Sequence, residues 1–249
     1  RALFFGAHPD DCEVRAAGTM ALLQRAGWEV GIATVTAGQG GSREHGPERI
    51  GEIRLAEAKA AVDVIGAWYG WAGGMDMDVD FRRELRVKVV HVFRQFRPDL
   101  VITLAPQDYH TDHEETSRLV RAACFYAPIP NFPEQTLDPI DHVPHLYYVW
   151  SRTDIHGRDA YAEFAVDISS VTEVKAQMLD CHESQKAWVA AHHHQDRFLD
   201  AMRQADAALG ERVGAPAAEA FFQHLGAGYP DSDLLSETLG GLVHRLGEA

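Results

Sequence analysis

The stretch His8-Pro9-Asp10-Asp11-Cys12-Glu13 concentrates chemically useful side chains, since it holds one imidazole and three carboxylates within six residues. Such acids repel one another unless a cation gathers them. Imidazole nitrogen and carboxylate oxygen together form a suitable ligand set for zinc. A helix cap is the competing interpretation, because Asp10 and Glu13 fit a D-x-x-E capping box. A cap, however, does not need His8.

A second cluster, His110-Thr111-Asp112-His113, lies about 100 residues further along the chain. Thr111 and Glu114 also fit a capping box, but that interpretation explains neither histidine. One histidine from each cluster plus one aspartate gives three protein ligands. This is the number found at a catalytic zinc that keeps one position open for water.

Each cluster directly follows a segment with the composition of a buried strand. Ala2 to Gly6 precedes the first cluster, and Asp99 to Leu104 precedes the second. The alternation of strands and helices predicts an α/β fold, a Rossmann-like doubly wound and mostly parallel sheet, whose active site lies at the carboxyl ends of the strands. Further elements are predicted as a strand at 29–35 and helices at Val14 to Ala26, Pro47 to Gly66, Arg82 to Phe96 and Asp112 to Phe125.

The second half of the chain is less regular. Four prolines between Ala127 and Pro144 mark a long loop, which we expect to form a wall of a substrate cleft. Strands at Leu146 to Trp150 and Glu163 to Val166 and a helix at Val171 to Trp188 follow. With 249 residues and no repeat or flexible linker, the chain is predicted to form a single domain, 1–249. It would comprise a Rossmann-like core at 1–126 and, at 127–249, the cleft-forming loop, extra strands and C-terminal helices.

Charge and composition exclude several classes of partner. The chain has 23 basic and 37 acidic residues, a net charge of −14 and no basic run, so no nucleic-acid partner is expected. No apolar run approaches the roughly 20 residues that span a bilayer, so no membrane partner is expected either. The three widely spaced cysteines suit neither a disulfide framework nor a cysteine zinc cage. They favour a cytoplasmic location.

The two clusters at this spacing resemble the motifs of the PIG-L/LmbE-like de-N-acetylase family. The resemblance implies a Rossmann-like fold and the removal of acetyl groups from amino sugars of the N-acetylglucosamine type. It covers most of the chain, since further matches are Gly18-Thr19, Arg54-x-x-Glu57, Lys175 with His182-x-Ser184-Gln185, and Ala218-Glu219-Ala220-Phe221.

The resemblance assigns the metal and the base. It implies that His8, Asp11 and His113 bind Zn²⁺, although another divalent cation could occupy a site of this composition. Asp10 would be the general base. Zinc lowers the pKa of a bound water to about 7, and a base typically contributes about 10²–10⁴-fold in rate.

The same resemblance assigns roles around the substrate. His110 would stabilise the oxyanion and protonate the leaving amine, and Asp112 would orient His110. Arg54 and His182 are candidate substrate-binding residues. Arg54 could instead form only a surface pair with Glu57 at i,i+3, and His182 could be a core histidine.

Other features favour structural interpretations. The loop Gly38–Gly41 lacks the lysine of a phosphate-binding P-loop and is expected to bring its backbone close to the site. The tract His192–His194 is expected on an exposed helix or loop rather than at a metal. Arg15 is expected in solvent, and Glu13 is expected to accept from backbone or arginine groups. Core packing is favoured over sugar stacking for Trp68, Tyr69 and Trp71.

The sequence therefore predicts a zinc-dependent N-deacetylase, in which zinc-bound water removes an N-acyl group from an amino sugar or glycoconjugate. Acetyl is the favoured acyl group.

One alternative is an amidase for a bulkier amide, such as a thiol conjugate or glycopeptide. Only the loops at 70–80 and 127–144 could distinguish it from the deacetylase. A non-catalytic Rossmann-like binding protein is disfavoured because no GxGxxG follows the first strand. A pseudoenzyme is disfavoured by the complete set of ligands and base. A homo-oligomer is possible.

Overall fold

An eight-stranded sheet is built from the residues that the computed structural model describes, which are 1–151, 157–158, 160–186 and 198–247. The strands are β1 (Ala2–Gly6), β2 (Val30–Thr36), β3 (Trp68–Gly74), β4 (Leu100–Thr103), β5 (His145–Val149), β6 (Phe164–Asp167), β7 (Ala218–Gln223) and β8 (Val243–Arg245). Their order is β3-β2-β1-β4-β5-β7-β6-β8. The first five strands pair in parallel and the last three join in antiparallel. The predicted α/β class with a mostly parallel sheet is confirmed.

Helices cover both faces of this sheet. They are α1 (Asp11–Arg15), α2 (Ala17–Arg25), α3 (Pro47–Asp63), α4 (Arg83–Phe96), α5 (Thr111–Tyr126), α6 (Thr172–Asp180), α7 (Phe198–Glu211) and α8 (Leu234–Leu239). Successive strand residues point to opposite faces, so Phe4 packs among residues of α1, α2, α3 and α6, whereas Leu3 and Phe5 pack with α4 and α5. Of the described helices, none has both the length and the apolar character that crossing a bilayer requires.

Strand β3 is the main element that the sequence analysis missed. Its seven residues pair in parallel with β2 and lie at the edge of the sheet. Trp68 and Tyr69 pack against the core as expected, but Trp71 is 44% exposed, so core packing is wrong for that residue. The alternation of buried and exposed residues along Trp68–Gly74 is typical of a strand.

The predicted helix from Val14 to Ala26 is two helices. Ala16, with φ −148° and ψ 0°, interrupts the helical backbone between α1 and α2. Asp10 precedes α1 with φ 96° and its side chain makes no capping hydrogen bond, so the capping-box interpretation of Asp10 and Glu13 is wrong. The backbone is therefore tightly turned directly after β1.

The predicted helix from Val171 to Trp188 is also interrupted. Helix α6 ends at Asp180, a turn follows at Cys181, and helical backbone resumes at 183–186. Helix α7 and strand β7 then complete the antiparallel side of the fold.

The loop at 127–144 packs on α4 rather than on a cleft. The guanidinium of Arg94 donates to the backbone carbonyls of Ala127, Ile129 and Leu137. Among the described residues, none between 127 and 144 lines either cavity near the two histidine clusters. The expectation of a cleft wall is therefore wrong, and the prolines serve a loop that is fixed by one buried arginine.

A buried ionic network joins the two halves of the chain. Lys175 Nζ lies 2.8 Å from Asp206 Oδ1 and 2.9 Å from Glu219 Oε1. Glu219 also accepts hydrogen bonds from the backbone N–H groups of Gly18 and Thr19 and from the Thr19 hydroxyl. The network thus holds α6, α7 and β7 against the start of α2. Breaking such a buried pair is costly because a charge is left uncompensated.

We expect Lys175→Met to lower the free energy of unfolding by about 3–5 kcal/mol, because two buried carboxylates lose their cation. Urea unfolding measures this loss. Lys59→Met, which changes an exposed lysine of α3, is the matched control and should stay within about 0.5 kcal/mol of the native protein. A loss below about 1 kcal/mol in Lys175→Met would contradict the assignment.

The loss should also depend on pH. Burial raises the pKa of Asp206 to about 6, although Lys175 opposes that rise. Without the lysine, Asp206 in the folded variant keeps its proton up to a higher pH than Asp206 in the unfolded chain does. Its stability should therefore fall as pH rises from about 5 to about 8, and more steeply than in the native protein.

Candidate metal centre and active site

The two motifs meet where the direction of the sheet reverses. Strands β1 and β4 are parallel neighbours, and the chain continues from β1 to β2 on one side and from β4 to β5 on the other. In open α/β sheets, ligands bind in the crevice at the carboxyl ends of such strands. The first motif follows β1 at Gly6 and the second follows β4 at Thr103. The sheet therefore brings together segments that are far apart in the sequence.

Three side chains approach one another closely enough to share one cation. His8, Asp11 and His113 are buried, and one ligand atom of each lies within 4.8 Å of the others. The distance from His113 Nε2 to Asp11 Oδ1 is 3.3 Å, and that from His8 Nδ1 to Asp11 Oδ2 is 3.8 Å. Tetrahedral ligands at about 2.0–2.2 Å from zinc lie about 3.3–3.6 Å apart. The donor set and its spacing fit a divalent cation.

The turn after β1 holds the Asp11 carboxylate in place. Its Oδ2 accepts hydrogen bonds from the backbone N–H groups of Ala7 and His8, each at 2.8 Å. A Cβ on Gly6 would lie 2.9 Å from Asp11 Cβ, so the close approach requires glycine there. The local sequence thus fixes one ligand before the second motif contributes its own.

Further carboxylates lie behind both imidazoles. Asp108 Oδ1 is 2.9 Å from His113 Nδ1, while His8 Nε2 is 3.1 Å from Asp76 Oδ1 and 3.3 Å from Asp112 Oδ2. Metal-binding histidines usually donate their second N–H to a carboxylate in this way. Burial opposes protonation, but these acids and Asp11 raise the pKa of His8 to about 10 and that of His113 to about 9. The surroundings of the two rings therefore favour a positive charge at this place.

A second group, His8 with His110 and Asp112, also meets the distance criterion for a metal. The Asp112 carboxylate is already engaged, because it accepts from the Met77 N–H at 2.7 Å and lies beside His8. His110 Nδ1 accepts from the Asp112 backbone N–H at 3.2 Å. Asp112 thus contacts His110 through its backbone N–H, while its carboxylate lies beside the other neighbouring imidazole, that of His8. These engagements favour the first group as the metal site.

The second capping prediction is also wrong. His110, rather than Thr111, precedes α5 as its cap, and its ring accepts the Asp112 N–H. The Glu114 carboxylate accepts from the Asp108 backbone N–H instead of closing a box with Thr111. The helix start is therefore built from a residue that also faces the cavity.

Arg54 is buried beside the candidate base and not in a surface pair. Its guanidinium donates to the carbonyls of Pro9 at 2.7 Å and Gly38 at 3.0 Å, and lies 3.6 Å from Asp10 Oδ2. Burial raises the pKa of Asp10, and the charge of Arg54 opposes this rise. Gly38, with φ 67°, lies so close that a Cβ there would be 2.0 Å from Arg54 Nη1. The expected close backbone approach of the glycine-rich loop is therefore present.

Glu57 and His182 lie behind the motifs. Glu57 accepts from the backbone N–H and the hydroxyl of Ser184, and not from Arg54. The Nε2 atom of His182, a fully buried residue, lies 3.4 Å from Glu13 Oε1. Within the described part of the chain, the cavity wall does not include His182. The arrangement matches a core histidine, and it gives Glu13 an imidazole neighbour in place of the expected backbone or arginine group.

A cavity of about 470 Å³ contains the candidate site. The two sides of the cavity differ in polarity. One side is polar, and the other carries larger and more apolar side chains. The polar side includes Gly40, Gly41, Arg54, Asp76 and Gln185; the other includes Val14, Arg15, Tyr109 and Phe198. The buried Gln185 Oε1 atom has no hydrogen-bond partner within the described structure, so it can accept from a ligand.

Sequence analysis did not identify Asp76, Asp108 or Tyr109. The aromatic residues of Trp68–Gly74 were the available signal for a strand, which would have placed Asp76 near a carboxyl end. Arg15 was expected in solvent, but it lines the cavity, donates to the Trp150 carbonyl at 3.3 Å and lies 3.6 Å from Asp108 Oδ2. The tract His192–His194 lies outside the described residues.

Comparison with known proteins is consistent with this geometry. The model of the family described as "PIG-L: GlcNAc-PI de-N-acetylase" matches residues 3–124. Diacetylchitobiose deacetylase of Thermococcus kodakarensis is 30% identical over 188 residues, which cover 72% of this chain and 67% of that protein.

Solved structures share the fold. N,N'-diacetylchitobiose deacetylase from Pyrococcus horikoshii, in complex with its inhibitor MPG, has a TM-score of 0.77 at 23% identity, covering 94% of this chain and 88% of that one. GalB of Pseudomonas putida, a 4-carboxy-2-hydroxymuconate hydratase, has a TM-score of 0.73 at 19% identity, covering 93% and 98%. Because the fold also occurs in a hydratase, it does not by itself select the reaction.

We expect Asp108→Asn to weaken zinc binding about 10–100-fold, because the amide cannot accept the His113 N–H as strongly as a carboxylate does. Calorimetric titration of metal-free protein with zinc measures the affinity. Asp63→Asn, at an exposed position at the end of α3, is the control and should bind zinc as the native protein does. Equal affinity in both variants would exclude Asp108 from this role.

Proposed function

Because the chain belongs to the GlcNAc-PI de-N-acetylase (PIG-L) family, we propose that it is a metal-dependent hydrolase that removes an acyl group from the nitrogen of an amino sugar. The observation that carries this proposal is the group His8, Asp11 and His113, with Asp10 beside it in the same cavity. The names of the family and of the Thermococcus relative both specify an acetylated amino sugar, which supports this substrate class.

The metal would be held by His8, Asp11 and His113. Two nitrogens and one oxygen suit zinc, although other divalent ions accept the same donors. When bound, the cation would supply Lewis-acid activation of water and of the acyl carbonyl. The carboxylates behind both imidazoles would fix the rings and increase their basicity.

Asp10 is the candidate general base. Its side chain lines the cavity next to Asp11, and its burial raises its pKa, which makes it a stronger base near neutral pH. The neighbouring guanidinium of Arg54 favours the ionised form and thereby keeps the base ready to accept a proton. Asp10 would take a proton from the attacking water.

His110 is suited to donate a hydrogen bond. Its Nδ1 accepts from the Asp112 N–H, so in the neutral ring the proton lies on Nε2. Burial and the neighbouring charges of His8 and His113 lower the pKa of His110, which favours this neutral form. A half-buried Nε2–H at the cavity can stabilise the negative charge that develops on the acyl oxygen. To protonate the departing amine, the ring would first have to accept a proton, and the proton that Asp10 takes from the water can supply it.

The polar side of the cavity would bind the sugar. Gln185 has a buried carbonyl oxygen to which no described residue donates a hydrogen bond, and Asp76 and Arg54 bring opposite charges to the same wall. Sugar hydroxyls both donate and accept hydrogen bonds, so they can satisfy such groups. Arg54 already donates to Pro9 and Gly38, so its main role is to position the first motif.

Asp10→Asn and Asp11→Asn form a matched pair of variants at adjacent positions. We expect Asp10→Asn to retain about one zinc per chain and to lose about 10²–10⁴-fold in kcat, since only the base is removed. Asp11→Asn should lose the metal. Zinc analysis and amine release from N-acetylglucosamine and diacetylchitobiose measure both effects.

Two results would overturn this assignment. Loss of zinc in Asp10→Asn would mean that the roles of the two aspartates are exchanged. Full activity in metal-free native protein would exclude the metal-dependent reaction.

A further inference from the structure

A second cavity of about 450 Å³ adjoins the cavity that holds the candidate metal site. We call it the side chamber. The two cavities share four wall residues, Val14, Arg15, Tyr109 and Phe198. The chamber therefore lies directly beside the site. Among the described residues, the rest of its wall comes from α7, β7 and residues 150–151, which follow β5.

One face of α7 lines the side chamber. Phe198, Ala201, Ala205 and Leu209 recur at helical spacing and all border the cavity, as does Met202. The alanines leave space that a larger side chain would fill. The ring of Trp150 adds a further apolar surface.

Two carboxylates in the chamber wall are already engaged by other groups of the protein. Asp206 and Glu219 are buried and both pair with Lys175, and Glu219 also accepts from Gly18 and Thr19. A ligand would therefore meet carboxylates that already have protein partners and not a free anionic site. The accessible character of the chamber is set mainly by its aliphatic and aromatic side chains.

The reacting amide has two substituents, which need different surroundings. The sugar on the nitrogen needs hydrogen-bonding groups, and these lie on the side of Gly40, Asp76 and Gln185. With the sugar bound there, a carbonyl substituent on the opposite side would face Tyr109 and Phe198, which border both cavities. An acetyl methyl group would leave most of that volume unfilled.

The geometry points to the side chamber as a binding site for the acyl chain, so that this enzyme hydrolyses N-acyl amino sugars with apolar chains longer than acetyl. This inference rests on the proposed function, because it assumes that an N-acyl amino sugar occupies the metal-bearing cavity. The reaction is the same amide hydrolysis. Water adds across the carbon–nitrogen bond, and a free amine and a carboxylic acid are released.

The test compares N-acetyl-, N-butanoyl-, N-hexanoyl- and N-octanoylglucosamine as substrates of the zinc-loaded native protein. Each methylene buried can increase kcat/KM by up to about fourfold. We expect kcat/KM to be at least about tenfold higher for the hexanoyl than for the acetyl substrate. A steady fall with chain length would overturn the inference.

Ala205→Phe and Ala208→Phe provide a matched pair on α7. Ala205 borders the side chamber, whereas Ala208 is exposed on the same helix. Ala205→Phe should lower the ratio of hexanoyl to acetyl kcat/KM by about tenfold, since the ring occupies the space of the chain. Ala208→Phe should leave that ratio unchanged. An equal ratio in all three proteins would contradict an acyl site in the chamber.

Thermal unfolding and zinc content establish that each variant is folded. If Ala205→Phe does not fold, Ala201→Leu introduces a smaller group on the same face and should lower the ratio in the same direction.

Failure of the acyl-chain inference and failure of the proposed function would give different results. Release of acetate alone would overturn the acyl chamber and keep the deacetylase. No amine release from any of the four substrates would overturn the proposed function itself.

Discussion

The crowding of negative charge at the carboxyl ends of β1 and β4 is the constraint on which the site depends. Several carboxylates are buried there within contact distance of two imidazoles, and such an arrangement is costly without compensating positive charge. Protons on the rings supply that charge, as their raised pKa values indicate, and a divalent cation would supply it more fully. The acids that contact these rings are Asp11, Asp76, Asp108 and Asp112.

Arg54 supplies buried positive charge to the loops that surround the site. Its buried guanidinium joins the Pro9 carbonyl, in the first motif, to the Gly38 carbonyl, in the loop after β2. This requires glycine at 38, because a Cβ would overlap the guanidinium. The same group lies beside Asp10, so one cation both fixes the turn and favours the ionised base. A single long-range contact thus links backbone geometry to the chemistry of the site.

The sequence predicted the parallel sheet, most of its elements and the proximity of the two motifs, because these depend on local hydrophobic pattern and on strand order. It did not predict the carboxylates that contact the two imidazoles from behind. Asp76 follows a glycine-rich strand whose alternation of buried and exposed residues is visible only in the folded chain, and Asp108 contacts a histidine five residues away only through the geometry of the loop. The sequence left Arg54 as either a substrate-binding residue or a surface partner of Glu57, because helical spacing says nothing about the loops that cover it.

The candidate hydrolytic site and the proposed acyl site come from different parts of the chain. The family match at 3–124 contains the candidate metal ligands, Asp10 and His110. The apolar surfaces of the side chamber come mainly from residues beyond it, on α7, at Trp150 and on β7. These surfaces are held to the catalytic half by Lys175 and Glu219, the latter bonded to the start of α2. The ionic network therefore provides a rigid attachment on which the acyl preference can change while the hydrolytic site stays the same.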